Sequence, residues 1–429
     1  MKPSWPGFAP NTQQASASTP SLLGRSFRPS AQELPESRSG QPVFCVLKWG
    51  GLGSVLTTLP LLRALKTHPL DPAVIYITDA GHLQLVERLG VVDHALGVRW
   101  RPASAWLRDT LVVVQTLRRA RPLLFFDLQI HTRRRWSALT AWLSGARVRL
   151  GLARSRDNLR SRVFHRLTYA NPFAPVHELY LQMARTLPGL QPASPGSAAI
   201  TLRPEDRREA ASLLRNWQAG EDKLLVVNPN ASGTALERRW PLGRFAAAVL
   251  RLMAHFRGLK VALIGSSAEA EYVERLRRMI GEAPGNVRNM AGRTTLGGLL
   301  GLLERADCLL TNDSGPLHLG FALGTPTVGL FGPAHPDHYA RLGRPDRTII
   351  FYRPLVCSPC VHHVNSPPCG GNNRCMQLIE PQEVVAACAF FLAAGRESSR
   401  AAMDRWRFSP YPGVLDHVAG APGSRAPCG

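Results

Sequence analysis

The chain has 429 residues, long enough for two domains of ordinary size, and 45% of them are hydrophobic. No run reaches the roughly 18–20 apolar residues of a membrane-spanning helix, which excludes an integral helical membrane protein. The formal net charge is +22, and only five of the 52 basic residues are lysine. No nucleic-acid-binding motif accompanies that charge, so nucleic acid is not an expected partner. Two readings remain: an arginine-biased composition, or a field for anions such as a phosphorylated substrate or an acidic lipid surface.

Residues 1–40 are rich in Ser, Pro, Gln and Gly without hydrophobic periodicity, so a disordered tail is expected. They lack an apolar core of signal-peptide length, which points to a protein retained in the cytoplasm. Val43–Leu47 predicts the first buried strand, and Lys48 to Ser54 form the loop after it. An amphipathic helix follows through Leu56, Leu59, Leu62 and Leu65, then a strand over Ala73–Ile77. Helical stretches over 81–90 and 104–120 lead to a strand over Leu123–Leu128. A helix over 136–144 and a short strand over Val148–Leu150 close this run. Alternation of this kind predicts an α/β protein with a parallel, doubly wound sheet.

The pattern restarts at a strand over 223–228 and continues with a helix at 243–256, a strand over Leu259–Ile264 and a helix at 268–281. Cys308–Leu310 predicts a further buried strand, ending at Thr311, Asn312 and Asp313. Asp313 or Ser314 then suits the N-cap of a helix with Pro316 in its first turn, Gly324 ends it, and Pro326–Phe331 is the next strand. Val384–Ala394 reads as a docked helix. The halves divide between about 195 and 222, where a helix near 204–218 connects them. The expected domains are 41–205 and 206–396, flanked by the tail 1–40 and a flexible tail at 397–429.

Ligands of open α/β sheets bind at the carboxyl ends of strands. The strand-end loops supply Lys48 to Ser54, Asp79 and Asp127 to Arg135 from the first half. The second half supplies Asn228 to Trp240, Gly265 to Glu269 and Asn312 to His318. Gly50, Gly51 and Gly53 suit either a simple turn or the close approach of a phosphate or sugar. Arg238 and Arg239 suit a diphosphate clamp or a solvated basic turn. Glu269 suits ribose hydroxyls or a favourable helix N-terminal charge. The first-turn N–H groups at Ser314 and Gly315 would face an anion. His131 and His318 are lone histidines that suit packing or capping better than catalysis.

Together the segments LKWGGLGSVLTTLPLLRAL, FDLQ, NPNASG, ERRWP, LIGSSAEAE and TNDSGPLHLGFALGTPTVGLFGP resemble glycosyltransferase family 9, the heptosyltransferase family of lipopolysaccharide assembly. The likeness runs from about 43 to 395. It implies two facing Rossmann-like domains (the GT-B fold), an acceptor half followed by a nucleotide-sugar donor half. The implied reaction is metal-independent, inverting sugar transfer, often from ADP-heptose, to a lipid-linked or saccharide acceptor at the cytoplasmic membrane face. By position, Arg238 matches the basic residue near the donor phosphates and Glu269 the acid at the ribose. Asp313 to His318 match the loop around the diphosphate and sugar. Asn230, Arg239, Gly265 and Asn312 fall in the same donor segments, and Lys48, Gly50, Gly51 and Gly53 form the acceptor-side loop.

One position departs from the family. An Asp proposed as general base follows the last loop glycine in the heptosyltransferases, and here it is Ser54, whose hydroxyl is no base near neutral pH without help. Asp127, ending an apolar strand, is the expected substitute, with Asp79 as runner-up and His131 assisting. The alternative for Asp127 is a tether of its own loop. A sugar-nucleotide-binding protein without catalysis and a nucleotide-sugar epimerase stay open as other readings.

Eight cysteines in a cytoplasmic protein argue against a disulfide framework. Cys357, Cys360, Cys369 and Cys375 have a spacing that fits a structural zinc site, with reduced packing cysteines or a redox role as the alternatives. No catalytic cofactor is expected.

Overall fold

A computed structural model describes residues 41–394, less 131–133, 155–157, 186, 188, 191–199, 216, 218–221, 232, 234, 282–284, 362–366, 368 and 370. The expected tails at 1–40 and 397–429 and the candidate His131 lie outside the described residues. The first half carries strands β1 (Val43–Leu47), β2 (Ala73–Asp79), β3 (His94–Val98), β4 (Leu124–Asp127), β5 (Val148–Ala153) and β6 (Arg166–Tyr169). Its helices are α1 (Leu52–Leu56), α2 (Leu59–Lys66), α3 (Leu83–Val86), α4 (Ala103–Ala120), α5 (Arg134–Leu143), α6 (Asn158–Val163) and α7 (Val176–Ala184). Helix α8 (Pro204–Leu214) leads into the second half, with β7 (Leu224–Asn228), α9 (Leu242–His255), β8 (Lys260–Leu263), α10 (Ala270–Ile280), β9 (Val287–Asn289) and α11 (Leu296–Arg305). The chain continues through β10 (Cys308–Asn312), α12 (Gly315–Leu323), β11 (Thr327–Phe331), α13 (Pro336–Tyr339), β12 (Thr348–Tyr352), α14 (Arg374–Gln377) and α15 (Pro381–Ala394).

The two six-stranded sheets are wholly parallel and run β3-β2-β1-β4-β5-β6 and β12-β11-β10-β7-β8-β9. Counted from its own first strand, each has the order 3-2-1-4-5-6 of a doubly wound fold. The topological switch points therefore lie between β1 and β4 and between β7 and β10, where such folds bind ligands. Central strands such as VFCVL in β1 and LLVVN in β7 are buried at every position because helices cover both sheet faces. One apolar cluster runs from Phe44 and Val46 through Leu179 and Tyr180 to Leu302 and Leu319, so the halves share packing.

Helix α8 packs on α11, yet its Asp206 is bound by Arg88 of the first half at 2.9 and 3.2 Å, both side chains being buried. That bidentate pair fastens the connection between the halves. Among the described residues no helix is long and apolar enough to cross a membrane.

Candidate functional site

The second switch point is built around the start of α12. Asn228, the last residue of β7, donates through Nδ2 to Thr311 Oγ1 at 2.9 Å and to Ser314 Oγ at 2.7 Å. Asn312, the last residue of β10, donates to the Pro229 carbonyl at 2.9 Å and accepts from Trp240 N at 3.1 Å. These bonds lock three strand-end loops together. Ser314 occupies the N-cap position of α12, but its hydroxyl donates back to the Asn312 carbonyl at 3.1 Å and makes no cap bond. Ser314 is thus the N-cap that the sequence offered, with its hydroxyl engaged by Asn228 and Asn312 and not by the first-turn N–H groups. Open first-turn N–H groups and the positive helix end suit an anion.

Arg238 Nη1 meets Asp313 Oδ2 at 3.3 Å, and both side chains are largely buried. The pair sets the guanidinium beside the helix start instead of leaving it in solvent. Arg239 turns the other way: its guanidinium lies 4.0 Å above the Tyr272 ring and 3.9 Å from Glu269 Oε1. Glu269 is a capping residue first, since its Oε2 accepts from Ser266 N at 2.9 Å and Ser266 Oγ at 2.8 Å. Only its Oε1 faces the Arg239 side. Gly265 is required by packing: a Cβ there would stand 2.7 Å from Asn230 Nδ2. Asn230 donates to the Ile264 carbonyl at 2.9 Å, while its Oδ1 is buried without a partner among the described residues. Arg239 Nε and His318 Nδ1 are in the same condition. Unsatisfied buried polar atoms in these strand-end loops are what a bound polar ligand would satisfy.

The first switch point abuts the second. Gly53 packs on the His318 ring, where a Cβ would come within 2.8 Å of Nε2, and Gly315 packs on Leu52. Helices α1 and α12 are thus in contact, and the two loops singled out by sequence meet across the halves. Gly50 has φ +129, a region that favours glycine, and the Ser54 hydroxyl sits over it, 2.6 Å from where a Cβ would lie. Gly51 has open space around it. Lys48 is buried, donates to the Leu128 carbonyl at 3.0 Å and lies 5.3 Å above the Tyr180 ring. Burial lowers its pKa to about 8, partly offset by the nearby Asp127 carboxylate. His318 is held below the ordinary histidine pKa, first by burial and then by Arg238, against an opposing pull from Asp313.

Asp127 does not reach this junction as a free base. It is wholly buried, with Oδ2 accepting from Arg160 Nη1 at 2.8 Å and Ser137 Oγ at 2.7 Å, and Oδ1 accepting from Gln129 N at 3.0 Å. These contacts are the ones the tether alternative expects of Asp127. Asp79 likewise accepts from Gly81 N at 3.0 Å as the cap of a short turn.

Cys357 is exposed and Cys360 and Cys375 are buried, and among the described residues no three His, Cys, Asp or Glu side chains gather to hold a metal ion. Burial raises the Cys375 thiol to about 11 and raises Cys360 as well. Hydrogen bonds hold the described parts of this loop. Cys360 N and Val361 N both donate to the Pro333 carbonyl at 2.9 Å. Asn373 Nδ2 donates to the Glu237 and Arg239 carbonyls at 2.9 and 2.6 Å, bracing the Arg238 loop from behind.

Two features escaped sequence reasoning. Trp49, Trp100 and Trp136 converge edge-to-face beside the first glycine loop, with ring centroids 4.7–5.4 Å apart. Their only sequence signal is that each follows or begins an element near a strand's carboxyl end. An open cleft also lies between the halves, lined by Arg154, Asn171 and Phe173 on one side and His335, His338 and Tyr339 on the other. Tyr339 joins it to the helix start, since its raised pKa, due mainly to burial, also feels the Asp313 charge.

Comparison with known proteins adds an independent finding. The family model described as glycosyltransferase family 9 (heptosyltransferase) matches residues 114–369. The chain is 23% identical over 321 residues to the lipopolysaccharide core heptosyltransferase OpsX of Haemophilus influenzae, covering 72% of this chain and 84% of that one. It is 28% identical over 175 residues to lipooligosaccharide heptosyltransferase 2 of Campylobacter jejuni, 40% of this chain and about half (51%) of the relative's length. Among solved structures, the family 9 glycosyl transferase of Veillonella parvula superposes with a TM-score of 0.68 at 21% identity, over 82% of this chain and 98% of the other. The ADP-heptose heptosyltransferase II of E. coli gives 0.63 at 20% identity, with the same coverage. These structures share the two-sheet fold described above.

Proposed function

The chain belongs to glycosyltransferase family 9, the heptosyltransferase family, and from that premise we propose that it transfers heptose from ADP-heptose to a lipopolysaccharide-core acceptor. The observation that carries this reading is the junction of the two switch points, where an uncapped helix start flanked by Arg238 and Asp313 touches the first-half glycine loop. The α12 N-terminus and Arg238 take the diphosphate, through backbone N–H groups and a charge-assisted contact. Arg239, Tyr272 and Glu269 lie on the nucleoside side. The acceptor enters from the cleft between Phe173 and Tyr339.

In this mechanism an acceptor hydroxyl oxygen attacks the anomeric carbon from the face opposite the diphosphate. The anomeric C–O bond breaks, ADP departs with the bonding pair, and the configuration inverts. The hydroxyl proton goes to His318, which lies against Gly53 beside the family's base position at Ser54. The Asp313 charge favours the imidazolium that results. Purified protein incubated with ADP-heptose should release ADP only when a lipopolysaccharide-core acceptor is present. ADP release at the same rate without acceptor would refute transfer.

A further inference from the structure

Helices α4, α5 and α6 lie side by side over one face of the first sheet. Trp136 Nε1 donates to Thr110 Oγ1 at 3.2 Å and Arg118 Nε to the Leu143 carbonyl at 2.9 Å, which fixes α4 against α5. Their inner faces are ordinary core: Ala105, Val113 and Leu117 on α4, Ala138 and Ala141 on α5, all buried. Their outer faces are not ordinary. Leu107, Leu111 and Val112 on α4, Leu139 and Trp142 on α5 and Leu159 on α6 are 41–58% exposed. Steps of four and three residues align Arg135, Leu139 and Trp142 in one outward stripe, as Leu107 and Leu111 are aligned on α4. An outer helix layer of a monomer normally shows charges of both signs at such positions.

The charges around this layer are of one sign. Residues 101–170 hold fifteen arginines and three aspartates, with no lysine or glutamate, so twelve of the net +22 lie in this stretch. Two of the three aspartates are buried in ion pairs, Asp109 with Arg99 and Asp127 with Arg160. Arg108, Arg119, Arg135 and Arg162 are exposed beside the apolar side chains. A genome-wide arginine bias would not strip the carboxylates from one surface while leaving them on others.

We propose that the α4–α5–α6 face docks on an anionic phospholipid bilayer. The leucines and Trp142 enter the headgroup boundary and the arginines meet the lipid phosphates. Helix α5 begins at the rim where Trp136 packs on Trp49 of the glycine loop, so the docked face runs up to the candidate acceptor side. A membrane-borne acceptor would then reach the cleft without leaving the bilayer surface.

The test is sedimentation of the full chain with vesicles of phosphatidylglycerol and phosphatidylcholine, against vesicles of phosphatidylcholine alone. The chain should bind the anionic vesicles and be released by high salt. The double variant Leu139→Glu/Trp142→Glu should bind about tenfold more weakly at unchanged melting temperature. Leu250→Glu/Met279→Glu, at exposed apolar positions of the second half, should bind as the parent does. If the glutamates unfold the chain, Leu139→Ser/Trp142→Ser serves instead. Equal vesicle binding by parent and patch variant would overturn the proposal. So would a parent that ignores vesicles but self-associates through the patch, which would assign the face to a second copy.

Discussion

Arg238 and Asp313 come from loops 75 residues apart, and each makes the other useful. Asp313 holds the guanidinium at the helix start, and a donor diphosphate would add a second anionic partner to the same group. Arg238→Ala and Asp313→Ala should each weaken ADP-heptose binding by about 1.5–3 kcal/mol, more than tenfold in Kd, measured by calorimetric titration. Unchanged affinity in both variants would remove the donor from this half. Asp127 behaves differently at the same scale. Asp127→Asn should lower stability by about 3–5 kcal/mol in denaturant unfolding, because it breaks a buried ion pair, and leave donor affinity of the folded fraction intact. A stable variant with slow turnover would restore Asp127 as a base.

His318 links residue chemistry to pH. Its pKa is lowered in the folded state, so the unfolded chain binds the extra proton first as pH falls below 6.5. Stability contributed at this site is therefore full above that value and declines below it. The acid limb of kcat should accordingly lie below the ordinary histidine range. His318→Gln should abolish that limb and cut turnover by about 10²–10⁴ with donor affinity preserved. Turnover within a few fold of the parent would exclude His318 as the proton acceptor.

At the scale of elements, the central strands were legible because burial on both faces makes them continuous apolar runs; Val43–Leu47 matches β1 residue for residue. The strands that sequence reading passes over are the four sheet edges, β3, β6, β9 and β12. Three of these are short and half exposed, so neither a continuous run nor a clean alternation marks them. The loops of the candidate site were legible from glycine and charge. The partners of each side chain were not, since Asp127 with Arg160 and Asn228 with Ser314 are tertiary pairings. The cysteine-bearing loop shows the same limit: its spacing suggested a metal, and nothing in that spacing pointed to the bonds Asn373 makes to the Arg238 loop. Asn373→Ala frees the Glu237 and Arg239 carbonyls, and about a tenfold loss of donor affinity should follow in the same titration. No loss would mean the Arg238 loop holds its shape unaided.

At the scale of the molecule, two doubly wound halves turn their switch points toward each other. The buried Arg88–Asp206 pair sits on the connection that sets their separation. Arg88 holds Asp206 below the usual carboxylate range, so this stabilisation is present near neutral pH and is lost as acid protonates the carboxyl. Arg88→Ala should cost about 3–5 kcal/mol of stability in denaturant unfolding, since it leaves a buried carboxylate unpaired. A variant as stable as the parent would show that the shared apolar core alone holds the halves.

The central claim is that this junction moves a sugar with inversion. Intact-mass analysis and anomeric NMR of the acceptor, after incubation with ADP-heptose and enzyme, test it most directly. The acceptor should gain one heptose whose anomeric configuration is opposite to that of the donor, and none with the Arg238→Ala/His318→Gln double variant. An unmodified acceptor alongside hydrolysed or epimerised donor would contradict it.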